Sequence, residues 1–228
     1  GEGEARRKVE LMRYITPYRR AWTWHVDVTH LAPWLRGEVE LEAWADSWLG
    51  GKQEPTKGYL VSATFHYVLG EPERPVLAAI PLWQRSHDFE GAGNTAEGLR
   101  ASFPEVTLDV PDGAMGAVVE LIVSGHGGFG EFTPAQRELH VNGEVVAADE
   151  LWNTEVWLNP VRPQSGTWKF DRAAWAPGSV VEPWVVDVSA WVQPGGELSV
   201  RYVPIPFEEL GGDASHLVAG RLVWLGEG

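Results

Sequence analysis

The hydrophobic positions of this chain come in short bursts. Strand-length stretches rich in Val, Ile, Leu, Tyr and Trp are cut off again and again by Gly, Pro and Asp. The stretches that read as strands are Val9–Ile15, Thr23–Val28, Glu38–Ala45, Tyr59–Leu69, Val76–Trp83, Glu105–Val110, Ala117–Ser124, Arg137–Val146, Val181–Val188, Glu197–Val203 and Leu217–Trp224. Helical periodicity is scarce. Thr29–Arg36 and Asp149–Asn153 are each expected to make a turn or two of helix, with Pro33 in the first turn of the former, where its missing N–H does little harm. The pattern predicts an all-β antiparallel protein of the sandwich or jelly-roll kind. No apolar stretch approaches the roughly 20 residues that span a bilayer.

One motif repeats. Trp24-His25-Val26-Asp27-Val28-Thr29 and Trp184-Val185-Val186-Asp187-Val188-Ser189 are each followed by a short linker and a Gly-Glu pair, Gly37-Glu38 and Gly196-Glu197. Each reads as a strand, a corner capped by Asp with Thr or Ser, a brief turn and a return strand. The repeat suggests two domains of one architecture in tandem. The polar stretch His87–Arg100, with Gly91, Gly93 and Gly98, is the expected junction. The division is then residues 1–88, a linker at 89–97, and residues 98–228. The first unit opens abruptly and is expected to lack N-terminal strands.

Composition narrows the function. The chain has 228 residues, with 32 Asp and Glu against 18 Lys and Arg, a net charge of −14. Such a charge argues against nucleic acid and against anionic membrane surfaces as partners. There is no Cys, which excludes disulfides, thiolate zinc sites and Cys nucleophiles. The seven histidines pair at none of the H-x-H, H-x-x-x-H or H-E-x-x-H spacings of metal sites. The chain opens on Gly1-Glu2-Gly3-Glu4, without Met or a signal-like apolar core, and reads as a processed or trimmed product or a fragment. Trp is the outlier, at 13 residues; large rings fill β cores and also form stacking platforms.

Three places could carry chemistry. Asp46 lies between two indoles in Trp44-Ala45-Asp46-Ser47-Trp48, and Glu131 lies beside Phe132 in the glycine-rich stretch Gly127–Pro134. A carboxylate among rings is partly desolvated, which suits it to acid–base work; the alternative is a solvated surface acid. Ser124-Gly125-His126-Gly127-Gly128 follows a strand but leads to no helix, so it resembles a phosphate cradle only superficially. The long stretch Trp152–Gly178 holds Asn159, Arg162, Gln164, Trp168, Arg172 and Trp175. Amides, guanidinium groups and flat rings together suit a sugar site. The other reading is a packed loop with Trp168 and Trp175 as core anchors.

A resemblance bears on that choice. Arg13-Tyr14-Ile15-Thr16-Pro17-Tyr18, Asp27-Val28-Thr29, Asp46-Ser47-Trp48-Leu49, Ser124-Gly125-His126-Gly127, Glu131-Phe132, His140-Val141-Asn142-Gly143, Asn159-Pro160, Gln164 and Asp171-Arg172-Ala173-x-Trp175-x-Pro177-Gly178 follow one another in the order of the peptide-N-glycosidase F family, which the chain resembles nearly end to end. The resemblance implies two eight-stranded jelly rolls side by side. It implies hydrolysis of the amide joining asparagine to the first N-acetylglucosamine of an N-glycan, on an N-glycosylated peptide or protein. It also implies no metal or cofactor, and a secreted or periplasmic protein. Glu131 matches the family's active-site glutamate. Asp46 stands where the family has a second glutamate, and Trp48 matches the tryptophan beside it. Arg172 matches an arginine of the sugar-binding cleft. His126, Trp168 and Trp175 complete the expected substrate contacts.

Three departures qualify this. The family's principal catalytic aspartate lies upstream in a Trp-Asp-Arg context, and no Trp-Asp-Arg occurs here. Thr133 and Ala176 stand where cysteines are expected. Asp46 replaces glutamate. The chain alone is therefore expected to release no glycan. Either a second chain or upstream fragment completes it, or it is a non-catalytic carbohydrate-binding or scaffold relative. Copper monooxygenases also pair jelly rolls, but they need clustered His and Met, and only two Met and scattered His are present.

Overall fold

The computed structural model describes residues 8–18, 21–45, 59–70 and 72–228. Among these residues, eight strands form two four-stranded sheets. One sheet holds β1 (Val76–Asp88), β3 (Gly116–His126), β6 (Trp184–Asp187) and β8 (Ser215–Leu225), in the order β1-β8-β3-β6. The other holds β2 (Val106–Asp109), β4 (Ala135–Val141), β5 (Glu144–Leu151) and β7 (Glu197–Pro204), in the order β2-β7-β4-β5. Every pairing is antiparallel, as expected, and most neighbours in a sheet are far apart in sequence. One short helix, α1 (Ala96–Ser102), starts at Thr95, whose hydroxyl accepts from the Gly98 N–H at 3.1 Å.

The main core lies between the sheets. Ala117, Val119, Leu121 and Val123 of β3 meet Leu139, Leu198, Val200, Tyr202, Leu222 and Trp224 there. The other side chains of β3 are buried too, because residues 9–18 and 21–34 cover the outer face of its sheet. Leu31 and Trp34 pack with Val118 and Val223, and Ile15 packs with Ile122 and Trp175. That double cover explains the apolar run Ala117–Val123 of β3, which only Glu120 interrupts. Leu31 is fully buried, which contributes about 2 kcal/mol. Trp34 Nε1 donates to the Ala79 carbonyl at 2.7 Å, and Trp24 Nε1 to that of Gly178 at 3.0 Å.

The covering layer departs from the sequence reading. Val9–Ile15, Thr23–Val28, Glu38–Ala45 and Tyr59–Leu69 form no strands; Tyr14 makes an isolated bridge to Val180. Residues 59–70 run exposed, with Leu60, Val68 and Leu69 almost wholly in solvent. Among the described residues no strand lies beside them to pair with their backbone. β1, placed by sequence in the first unit, pairs with β8. The expected linker 89–97 is also part of this sandwich, because Phe89 is fully buried and Asn94 exchanges two hydrogen bonds of 2.8 Å with the Phe207 backbone. The expected strand Arg137–Val146 is a hairpin, since Asn142 and Gly143 (φ 50° and 84°) turn β4 into β5. In Asp149–Asn153, expected to be helical, Asp149–Leu151 continues β5 and Asn153 bridges to Arg172 instead.

The repeated motif has a local basis. Asp27 accepts from the Thr29 N–H at 2.8 Å and Asp187 from the Ser189 N–H at 2.8 Å; each opens a short 3-10 turn, Thr29–Trp34 and Ser189–Trp191. The first turn carries His30 onto the sheet. His30 Nδ1 lies 2.5 Å from Glu120 Oε1, and Arg221 Nε donates to Glu120 Oε2 at 2.5 Å. Hydrogen bonding to Glu120 raises the His30 pKa above its ordinary 6.5. A raised folded pKa adds stability that is complete below 6.5 and lost as pH rises through the folded value. Replacing His30 by Gln should therefore cost about 1 kcal/mol or less at pH 6 and nearly nothing at pH 9. Urea unfolding of both proteins across that range checks it; an equal cost at both ends contradicts the ion pair.

Candidate functional site

The site is built where β3 ends. After His126 the chain turns at Gly127 (φ +87°), where a Cβ would stand 2.5 Å from the Asp213 carbonyl oxygen. Asp213 ties the turn down. Its carbonyl accepts from Phe129 and Gly130 N–H at 3.0 and 3.1 Å, and its carboxylate from Gly128 N–H at 2.9 Å. These amides are satisfied within the protein and form no phosphate cradle. The turn delivers Glu131, whose N–H reaches the Gly127 carbonyl at 3.0 Å, with half-exposed Phe132 beside it.

Across from it runs the long loop after β5. Arg172 is anchored through its backbone, which bridges to Asn153, and through the next residue, Ala173, whose N–H donates to the Glu131 carbonyl at 3.0 Å. Its side chain is fully buried. The guanidinium donates from Nε to Glu131 Oε1 at 2.8 Å, to the Phe170 carbonyl at 2.7 Å and to Thr167 Oγ1 at 2.8 Å. The Phe132 and Trp175 rings flank it at 5.0 and 4.9 Å. A planar fork with several acceptors is the geometry that arginine serves and lysine cannot. Arg172 thus acts as a bracket. It holds one oxygen of Glu131, whose side chain stays a fifth exposed.

Tyr18 was not among the site residues expected from sequence. Its phenol is pushed up by burial, is lowered by the Arg172 cation and hydrogen bond, and is raised by the Glu131 charge; these effects put it beside that pair. Tyr18 is fixed by Gln164, whose Oε1 accepts from its N–H at 2.7 Å, and by Ser165 Oγ, which donates to its carbonyl at 3.0 Å. The available signal was Tyr18's place in the Arg13–Tyr18 motif.

Several expected sugar contacts belong to the loop's own framework. Asn159 Nδ2 donates to the carbonyl of Pro177, and Gln164 Nε2 donates to those of Val161 and Pro177 at 2.6 and 2.7 Å. Trp175 is buried, donates to the Gly125 carbonyl at 2.7 Å, and has ring faces toward Arg172 and His126. Trp168 is buried, with the Lys169 ammonium 5.5 Å over its ring. His126 sits behind Trp175, 2.7 Å from Ser124 Oγ, and is lowered to about 4 by burial and by Arg13. For Trp175 the packed-loop reading describes the observed geometry: a ring whose faces meet Arg172 and His126 offers no stacking platform. The structure brings Glu131 and Arg172 together. Asp46 and Trp48 lie outside the described residues. Among the described residues, no group of three or more His, Asp or Glu side chains could hold a metal ion, and no helix is long and apolar enough to cross a membrane.

Comparison with known proteins bears directly on this site. The family model for the C-terminal part of peptide-N-glycosidase F matches residues 96–223, more than half of the chain. The chain belongs to the peptide-N-glycosidase F family. It is 27% identical over 217 residues to the peptide-N(4)-(N-acetyl-β-D-glucosaminyl)asparagine amidase F of Elizabethkingia miricola, covering 85% of this chain. The chain spans 57% of that relative's length. The solved structure of peptide-N-glycosidase F from Flavobacterium meningosepticum, described as a glycosylasparaginase, matches with a TM-score of 0.59 at 21% identity, over 70% of this chain and 55% of that one. A structure of a peptide-N(4)-(N-acetyl-β-D-glucosaminyl)asparagine amidase matches with a TM-score of 0.58 at 20% identity, over 71% and 56%. These two structural likenesses show the shared fold. Glu131, Arg172 and the turn at Gly127 all fall in the part that the peptide-N-glycosidase F family model covers.

Proposed function

We propose that this chain is the portion of a peptide-N-glycosidase that carries its reactive glutamate. Joined to the rest of the enzyme, it hydrolyses the amide between asparagine and the first N-acetylglucosamine of an N-linked glycan. The observation that carries this reading is Glu131, a partly exposed carboxylate held at one oxygen by a fully buried arginine and flanked by Tyr18. With Oε1 held by Arg172, Oε2 is the oxygen left for chemistry on this partly exposed side chain. It can hold a water against the amide carbon and receive its proton. The hydroxyl adds to carbon, the carbon–nitrogen bond breaks, and the nitrogen leaves with a proton as a glycosylamine. The peptide keeps an aspartate. The Tyr18 hydroxyl can donate to the carbonyl oxygen as charge develops there. Asp46 acts through a bridging water where a longer glutamate would reach directly, and Trp48 stacks on the sugar.

The substrate is an N-glycosylated peptide or protein met outside the bacterial cytoplasm. The principal aspartate comes from a second chain or an upstream segment. The stretches 38–45 and 59–70, outside any strand and with apolar side chains in solvent, are where added strands would pair.

The test is release of glycan from a denatured glycopeptide by this chain, by the upstream part of a relative, and by the two mixed. Release is expected only from the mixture, at least about a hundredfold above either part. A mixture that forms a stable complex, binds the glycan and releases nothing supports a carbohydrate-binding relative instead.

A further inference from the structure

One feature of the long loop has no part in holding Glu131. Trp157, Arg162, Pro163, Trp168 and Lys169 line an open hollow of about 380 Å³. In a chain of net charge −14, this hollow has two cations and no acid among its lining residues. Neither Arg162 nor Lys169 makes an ion pair among the described residues; Lys169 Nζ lies 5.5 Å over the ring of Trp168. Trp157 is 54% exposed, an unusual degree for an indole.

The hollow is pre-shaped. Trp157 stands on a single 3-10 turn, Val156–Leu158, with Val156 buried beneath it. The backbone on either side of Arg162 and Pro163 is pinned, because Val161 N–H donates to Asn159 Oδ1 at 2.8 Å and Gln164 Nε2 donates to the Val161 carbonyl. The hollow also adjoins the site. Thr167 and Phe170, which accept from Arg172, immediately flank Trp168 and Lys169.

A flat indole face beside two cations matches a pyranose ring that bears an anionic group: the C–H face stacks on Trp157, and the carboxylate or sulfate meets Arg162 and Lys169. An acidic peptide would supply the charge but no flat face. We propose that this hollow is a subsite for an acidic sugar of the glycan. The inference rests on the amidase reading of the adjoining site.

The test is titration of the protein with a sialylated N-glycan free of peptide, with the same glycan after desialylation, and with a Glu-rich peptide. The sialylated glycan should bind about tenfold more tightly than its neutral counterpart, a preference that shrinks as salt rises. The double substitution Arg162→Gln and Lys169→Gln should abolish the preference without weakening the neutral glycan, and Trp157→Ala should weaken both. All three side chains are exposed, so the variants are expected to fold; unchanged melting checks this. Equal affinity for the two glycans overturns the subsite, as does a preference that survives the double substitution. Displacement of the sialylated glycan by the Glu-rich peptide at equal affinity also overturns it. If the glycans bind alike while the neutral glycopeptide is hydrolysed in the mixed-parts assay, the subsite falls and the amidase reading stands. A lasting preference in a mixture that releases nothing keeps the subsite and removes the amidase.

Discussion

Replacing Arg172 by Met should lower unfolding free energy by about 3 kcal/mol. The side chain is fully buried and donates to three acceptors on two separate segments, so its loss strands the Phe170 carbonyl and Thr167 Oγ1 and frees Glu131. The value sits at the low end for breaking a buried pair because Glu131 is a fifth exposed and can regain water. Arg172→Lys keeps the charge but cannot reach all three acceptors, and about half of the loss should remain. Urea unfolding at pH 7 reads both. A loss below about 1 kcal/mol for Arg172→Met would mean that the loop holds itself without the bracket.

Acid should unfold the protein through His216. Its ring is enclosed by Phe89 and Phe207, and neither ring nitrogen has a hydrogen-bond partner among the described residues. Burial first, then the charges of His87, His126 and Arg137, pushes its pKa from 6.5 down to about 3. The unfolded chain binds the proton and the folded one does not. The resulting stability is therefore complete above 6.5 and lost as pH falls. From pH 6.5 to 4 the loss from His216 amounts to about 3 kcal/mol, and His126 acts in the same direction. His216→Phe, or His216→Leu if the larger ring strains the cluster, should remove most of that slope. A variant whose stability still falls as steeply between pH 6.5 and 4 would show that other groups drive the transition.

How far the sequence could be read depended on where each residue finds its partners. β3, β7 and β8 were legible because their apolar runs are cut by glycines and prolines close by in the chain. The stretch His87–Arg100 misled because its polarity looked like solvent exposure. His87 and Asn94 in fact use their polar atoms inside the sandwich, on Ser102, Gly93 and Phe207. Thr23–Val28 and Val9–Ile15 have strand composition because they are apolar on one side; that side covers a sheet without joining it. In the site, Glu131 and Arg172 were visible through their motifs. The complete burial of Arg172 was not, since its acceptors are set by the loop's path. Trp175, Asn159 and Gln164 have the residue types of a sugar site, and only their hydrogen bonds show them bracing the loop. Tyr18 had only its place in the Arg13–Tyr18 motif to mark it, because Gln164, which fixes it, lies 146 positions away.

The proposed chemistry centres on Glu131 as the group that handles water at the amide. Glu131→Gln keeps size and the hydrogen bond from Arg172 Nε while removing the basic oxygen. The deciding measurement is the rate of glycan release by the mixed parts, with the unaltered chain and with the Glu131→Gln variant, at matched stability and matched glycan binding. The expected result is a loss of at least about a thousandfold with binding intact. Release at an undiminished rate by the variant would contradict the account.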